Sequence, residues 1–170
     1  MLASKVYGVT FDFSLALFVG VILGLLQGAS QALNQSIEEE LEIDKITGKA
    51  EYRPTGRGII SLTEGKIFAI ILYVVAITCA FFIEPLFGLF ISIIAFFGVF
   101  YTIPSIRAKR FFLVSNVWQG IARGMLPMFA VFAIFGNPFT SLSVSLAFVI
   151  GAWLVGVQAC KDPRVDVNGV

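Results

Sequence analysis

This sequence predicts an all-α bundle of membrane-spanning helices, and three observations predict it. First, 58% of the 170 residues are hydrophobic and 14% are charged, with a mean hydropathy of +0.91. So large an apolar excess cannot be hidden inside a soluble domain of this size, which buries only part of its surface. Second, the apolar residues fall into five runs, each of roughly the 17–25 residues a helix needs to cross a bilayer. Third, with the exception of Arg123, every charge lies outside those runs. A soluble globular domain and a disordered chain are both excluded.

The first run, 13–33, is uncharged and follows Phe11-Asp12-Phe13 rather than a basic stretch, so it reads as a span and not a cleaved leader. Its Gly20, Gly24 and Gly28 recur at spacing four, a small-residue pattern that predicts close packing against another helix. The second and third runs, 67–83 and 86–103, are joined by Glu84-Pro85, a tight turn. The fourth, 111–135, contains Arg123, and the fifth, 142–160, follows the uncharged stretch Gly136 to Ser141. A single transmembrane unit over 1–170 is expected, with 34–66 a charged loop and 161–170 a charged tail.

Composition also removes chemistry. There is no histidine, which excludes histidine-based triads and histidine-ligated zinc or haem. Cys79 and Cys160 are too few for a cysteine metal site and read as small buried hydrophobes. A net charge of +1 in clusters gives no nucleic-acid footprint.

The connections are unequal. Lys45, Lys49, Arg53, Arg57, Lys66, Arg107, Lys109, Arg110, Lys161 and Arg164 share one side of the predicted topology, and Glu84-Pro85 and 136–141 share the other. The positive-inside rule makes the basic side cytoplasmic and the N-terminus external. That side also receives two acidic clusters, 38–44 and 162–166.

Two constellations carry chemistry. At 100° per residue, Gln27, Gln31, Asn34, Glu38 and Glu42 share one face of the first helix if it continues past Leu33, and Glu40 and Asp44 point away. Amides and carboxylates at membrane depth are costly and mark function or inter-helix contacts. Glu38 and Glu42, one turn apart, offer oxygen ligands to a hard divalent cation. In the fourth run Asn116, Gln119 and Arg123 share a face. A cation in mid-span is expensive and marks a functional site or a buried partner.

The stretch Asn34-Gln35-Ser36-Ile37-Glu38-Glu39-Glu40-Leu41-Glu42-Ile43-Asp44, followed by Tyr52-Arg53-Pro54, Gly56-Arg57-Gly58 and Ser61-Leu62, resembles the first motif of the UbiA-type intramembrane prenyltransferases. Aligned on Asn34, the two motif aspartates are Glu38 and Glu42; aligned on Ile43-Asp44-Lys45, they are Glu40 and Asp44. Tyr101-Thr102-Ile103-Pro104-Ser105-Ile106-Arg107-Ala108-Lys109-Arg110 resembles the family's basic loop, and Lys161-Asp162-Pro163-Arg164-Val165-Asp166 its second acidic motif, without a third aspartate. Pro163 disfavours helix at Asp162.

The resemblance implies a membrane transferase that moves a polyprenyl group from an allylic diphosphate to a lipophilic acceptor, aromatic or lipid, with Mg²⁺. It implies metal ligands Glu38, Glu42, Asp162 and Asp166, with Asn34 assisting, or alternatively Glu40 and Asp44. Arg53, Arg107, Lys109, Arg110 and Arg123 would hold the diphosphate, and Tyr101 would face the reacting prenyl carbon. The family bundle has nine helices, and this chain resembles the second to sixth. The ends of the first and fifth spans are therefore expected to meet across a cleft facing the cytoplasm. An apolar flank with Gln119 and Arg123 left unpartnered is expected where further helices pack. The rival reading is a non-enzymatic transporter or channel subunit whose Gln27, Gln31 and Arg123 line a pathway.

Overall fold

The computed structural model describes residues 1–40, 46, 48, 51–106 and 111–159. Among them the regular structure is helical: α1 (Leu2–Val6), α2 (Phe13–Glu40), α3 (Leu62–Ile83), α4 (Pro85–Thr102), α5 (Phe112–Gln119), a π-helical stretch (Gly120–Met125), α6 (Leu126–Ala133) and α7 (Ser141–Ala159). The stretch 112–133 is one long helix interrupted at its centre. Four helices, Phe13–Glu38, Leu62–Ile83, Pro85–Thr102 and Ser141–Gln158, are long and apolar enough to cross a membrane. Their outward faces are apolar: Ile67, Phe68, Ile70, Ile71, Val74 and Val75 of α3 are all exposed. That pattern suits lipid as the solvent and would not survive in water.

Local chemistry sets the helix ends. Asp12 accepts from the backbone N–H groups of Ser14 and Leu15 at 2.8 and 3.1 Å and starts α2. The first helix does not end near Leu33 but runs to Glu40, so Asn34 and Glu38 stand on regular helix and not in a loop. Likewise α3 begins at Leu62, before Ile67, because Ser61 and Glu64 form a reciprocal capping box. Glu84 is extended, as a residue before proline prefers, and Pro85 opens α4. The ring of Phe81 lies over Gly88, where a Cβ would sit 2.5 Å from it, so that hairpin needs its glycine.

Packing divides the bundle in two. α2, α3 and α4 pack mutually, and the interrupted helix packs on α4 and carries α7 on its far side. In the first group the seam is made by alanines: Ala69, Ala76 and Ala80 of α3 are fully buried with Ile22 and Ala29 of α2 and Ile91 of α4. Small side chains let backbones approach. In the second group glycines do this. A Cβ on Gly124 would lie 2.7 Å from the Cα of Gly151, and one on Gly120 would lie 2.9 Å from the Gly151 carbonyl oxygen.

The expected glycine contact of α2 is not found. Gly20 and Gly24 face open space, and only Gly28 has a neighbour, Leu72 at 3.5 Å. The interruption at 120–125 has an evident cause in Pro127, which supplies no N–H to the carbonyl four residues before it and whose ring crowds that carbonyl. The preceding turn widens, and the result is a π-helical turn.

One end of the bundle is tied by Tyr7, whose hydroxyl donates to the Asn137 carbonyl and whose ring stacks on Phe135. Thr140 Oγ1 accepts from the Ser143 N–H at 3.3 Å and opens α7. The opposite end holds Glu38, Glu40 and the 51–61 stretch.

Candidate functional site

The acidic motif of α2 emerges at that opposite end. Glu38 is buried, 3% exposed, and its carboxylate accepts from the Arg53 guanidinium. Glu40, two residues on, is exposed and pairs with Lys66 at 2.7 Å. A helix turns 100° per residue, so these neighbours address different partners. One turn before Glu38, Asn34 Oδ1 is buried and makes no hydrogen bond among the described residues. Thr55 Oγ1, from the stretch that carries Arg53, is likewise buried and unbonded. Leaving a buried acceptor unsatisfied costs about 1–3 kcal/mol. Ser36, between them, is turned to the Ala32 carbonyl and packs on Gly65, where a Cβ would meet its Oγ at 2.2 Å.

Two turns further into the membrane lies a cavity of about 330 Å³. Leu23, Leu26, Ile94 and Phe97 give it apolar walls, and Gln27, Ser30, Tyr73, Tyr101, Gln119 and Arg123 converge on it as polar groups. That mixture of apolar wall and few convergent polar groups is the usual make-up of a ligand pocket.

Each polar group has a local reason for its position. Gly98 of α4 leaves room for two of them: a Cβ there would lie 2.8 Å from the Tyr73 hydroxyl and 3.3 Å from Ser30 Oγ. Tyr101 is held by Ser115 at 3.1 Å between the two hydroxyls. The Trp118 indole donates to the Phe97 carbonyl at 2.8 Å, and the two rings pack at 4.5 Å. The π-helical turn brings Gln119 and Arg123 together on the cavity wall. Arg123 shares the cavity wall with Tyr101 and Tyr73, and among the described residues no carboxylate pairs with it.

Several expectations need correction or placement. Gln119 is not on an open flank, being 5% exposed, and half-buried Arg123 lines the same cavity. Asn116 is buried but does not line it. α7 takes no part in the cavity wall, because the glycine contact seats it on the far side of the interrupted helix. Glu42, Asp44, Arg107, Lys109, Arg110, Asp162 and Asp166 lie outside the described residues. Among the described residues no three carboxylate or cysteine side chains gather as a metal site. Tyr73, Ser30 and Gly98 are site residues that the reading of spacing missed; the available signals were a lone tyrosine within apolar α3 and a serine set between Gln27 and Gln31 of the α2 stripe.

The apolar exterior and the long apolar helices, packed around a cavity with a few convergent polar groups, define a multi-pass membrane protein. The UbiA prenyltransferase family model matches residues 2–167, and the chain belongs to that family. A protoheme IX farnesyltransferase of Sulfurisphaera tokodaii is 34% identical over 117 residues, 69% of this chain and 38% of that protein. The chain thus spans well under half the length of that relative. No solved structure matches at comparable significance.

Proposed function

We propose that the chain carries part of the site of a membrane prenyltransferase, which moves a polyprenyl group from an allylic diphosphate to a lipophilic acceptor. The observation that carries this reading is the order of groups along one face of α2. Gln27 and Ser30 line the cavity, the unsatisfied Asn34 Oδ1 follows one turn later, and the buried Glu38 one turn after that. A chain with its charged head at Glu38 has its apolar tail directed into the cavity.

Mg²⁺ fits the oxygen donors present, since an orphaned amide oxygen beside a buried carboxylate is a hard-ligand environment. Glu38 and Asn34 would hold it, with Glu42, Asp162 and Asp166 completing the set; Glu40 and Asp44 form the alternative register. When bound, it offsets the repulsion between carboxylates and diphosphate and stabilises charge on the leaving group. Arg53, Arg107, Lys109 and Arg110 supply further positive charge to the diphosphate. The allylic C–O bond breaks with both electrons leaving on the diphosphate. The acceptor then gives an electron pair to the allylic carbon and loses a proton. Tyr101 faces that carbon, its hydroxyl held in place by Ser115. Arg123 is reserved for negative charge entering the cavity. The apolar walls keep water from the cation. The excess of Lys and Arg at the Glu38 end supports a cytoplasmic entrance.

The test is binding of radiolabelled geranylgeranyl diphosphate to the chain in detergent, with and without Mg²⁺. Mg²⁺-dependent binding that Glu38→Gln reduces at least tenfold and Glu40→Gln leaves near wild type is expected. Binding indifferent to Mg²⁺ and to Glu38 would overturn the assignment.

A further inference from the structure

A second cavity, also of about 330 Å³, lies at the Tyr7 end of the bundle and is lined by Leu15, Ala16, Val19, Met128 and Val131 among others. The two cavities have α2 and the interrupted helix in common, while α3 and α4 line only the first and α1 and Leu146 of α7 only the second. On α2 the first is lined down to Leu23 and the second begins at Val19, one turn away, about 6 Å along the axis. On the interrupted helix the first ends at Pro127 and the second begins at Met128, the next residue. The two linings are thus adjacent on both helices, and the second cavity lies beyond the first, away from Glu38.

Its chemistry restricts what can fill it. The lining side chains are apolar apart from Asp12, and that carboxylate is already engaged with the N–H groups of Ser14 and Leu15. No other lining side chain offers a partner to a polar head. An occupant that enters from the first cavity must be a flexible hydrocarbon.

We infer that the second cavity receives the distal isoprene units of the prenyl donor, and that Val19, Leu23 and Met128 set the chain length at which it is entered. This rests on the transferase reading above. α2 rises about 22 Å from Glu38 to Leu23. An extended isoprene unit is four carbon–carbon bonds, about 5 Å. With the diphosphate occupying the first part of that rise, three units reach the floor of the first cavity. The fourth crosses into the second. Met128, unbranched and adaptable, suits the crossing point.

The test uses the chain in phosphatidylcholine nanodiscs with Mg²⁺ and measures the Kd of geranyl, farnesyl and geranylgeranyl diphosphate. Wild type should hold the twenty-carbon donor more tightly than the fifteen-carbon one. Ala16→Phe and, separately, Val131→Phe fill the second cavity. Each should weaken geranylgeranyl diphosphate about tenfold, as losing burial of two or so methylenes implies, and leave geranyl diphosphate unchanged, which also reports an intact fold. An equal loss for all three donors, or a geranylgeranyl affinity that neither variant moves, as when bilayer lipid alone fills the cavity, would overturn the inference. Wild type binding all three without length dependence removes only this inference. Wild type binding none removes the transferase reading with it.

Discussion

Two glycine series at spacing four look alike in this sequence and do opposite things. Gly20 and Gly24 of α2 face open space, whereas Gly120 and Gly124 of the interrupted helix meet the backbone of Gly151. Glu38, which is buried, and Arg123, which is half-buried, divide in the same way. Glu38 has Arg53 against it, and Arg123 shares its cavity wall with hydroxyl groups and with no carboxylate among the described residues. Spacing says that a residue is positioned for contact; only the partner across the gap decides whether it is contact or exposure. Substitutions on each side of these pairs measure the difference.

The largest effect is expected at Gly124→Val. The nearest obstacle is backbone, the Gly151 Cα at 2.7 Å from a new Cβ, and backbone cannot rotate away. Overpacking a tight seam costs about 1–3 kcal/mol or more, and the seam also seats the turn that carries Arg123. The midpoint of unfolding in a denaturing detergent should fall by about 3 kcal/mol equivalent. A midpoint within 0.5 kcal/mol, on the order of an ordinary surface change, would mean that α7 is not seated on this glycine.

Next comes Glu38→Gln, which leaves Arg53 facing a neutral amide. Removing one partner of a buried pair costs about 3–5 kcal/mol in a dry site. Arg53 is 19% exposed, so the lower end is expected. Glu40→Gln removes a pair whose members are 35% and 49% exposed and should cost less than about 1 kcal/mol. Equal losses from the two would erase the distinction between the two faces of α2.

These contrasts show what was legible in the sequence. Hydropathy marked the helical bundle, because lipid-facing faces such as that of α3 are apolar whatever packs behind them. The polar stripe of α2 was legible because a charge near lipid has few permitted places. α1 was not, since five residues carry no periodicity. The π-helical turn was not, since a reading at 3.6 residues per turn assumes the ladder that Pro127 breaks. The alanine seam of α3 escaped because alanine is equally at home facing lipid. The Gly120–Gly124 pair stood in plain view with no way to know that Gly151 lay opposite.

Arg123→Met reverses the sign. Among the described residues no carboxylate offsets the half-buried guanidinium, and replacing such a charge with an apolar side chain of similar length is often stabilising. A gain of about 1 kcal/mol in unfolding midpoint is expected, together with loss of the ligand affinity that the cavity provides. A destabilised variant would show that Arg123 has an anionic partner outside the described residues.

The smallest effect is expected at Gly24→Ala, and it sharpens the comparison most. Nothing lies within 4 Å of a Cβ at Gly24, so the substitution meets no steric cost. Glycine within a helix is about 0.5–1 kcal/mol less favourable than alanine, through backbone freedom lost on folding. Gly24→Ala should therefore raise the unfolding midpoint by about 0.5 kcal/mol, and Gly20→Ala should match it because its surroundings are equally open. Gly28→Ala, with Leu72 at 3.5 Å, adds an ordinary van der Waals contact and should gain slightly more. The same substitutions can then be followed across protein concentration. A gain that holds at every dilution fits a face that lipid covers. A loss of 1 kcal/mol or more, on the scale of the Gly124 seam, would mean that another helix lies on Gly20 and Gly24, and the two glycine series would then be alike after all.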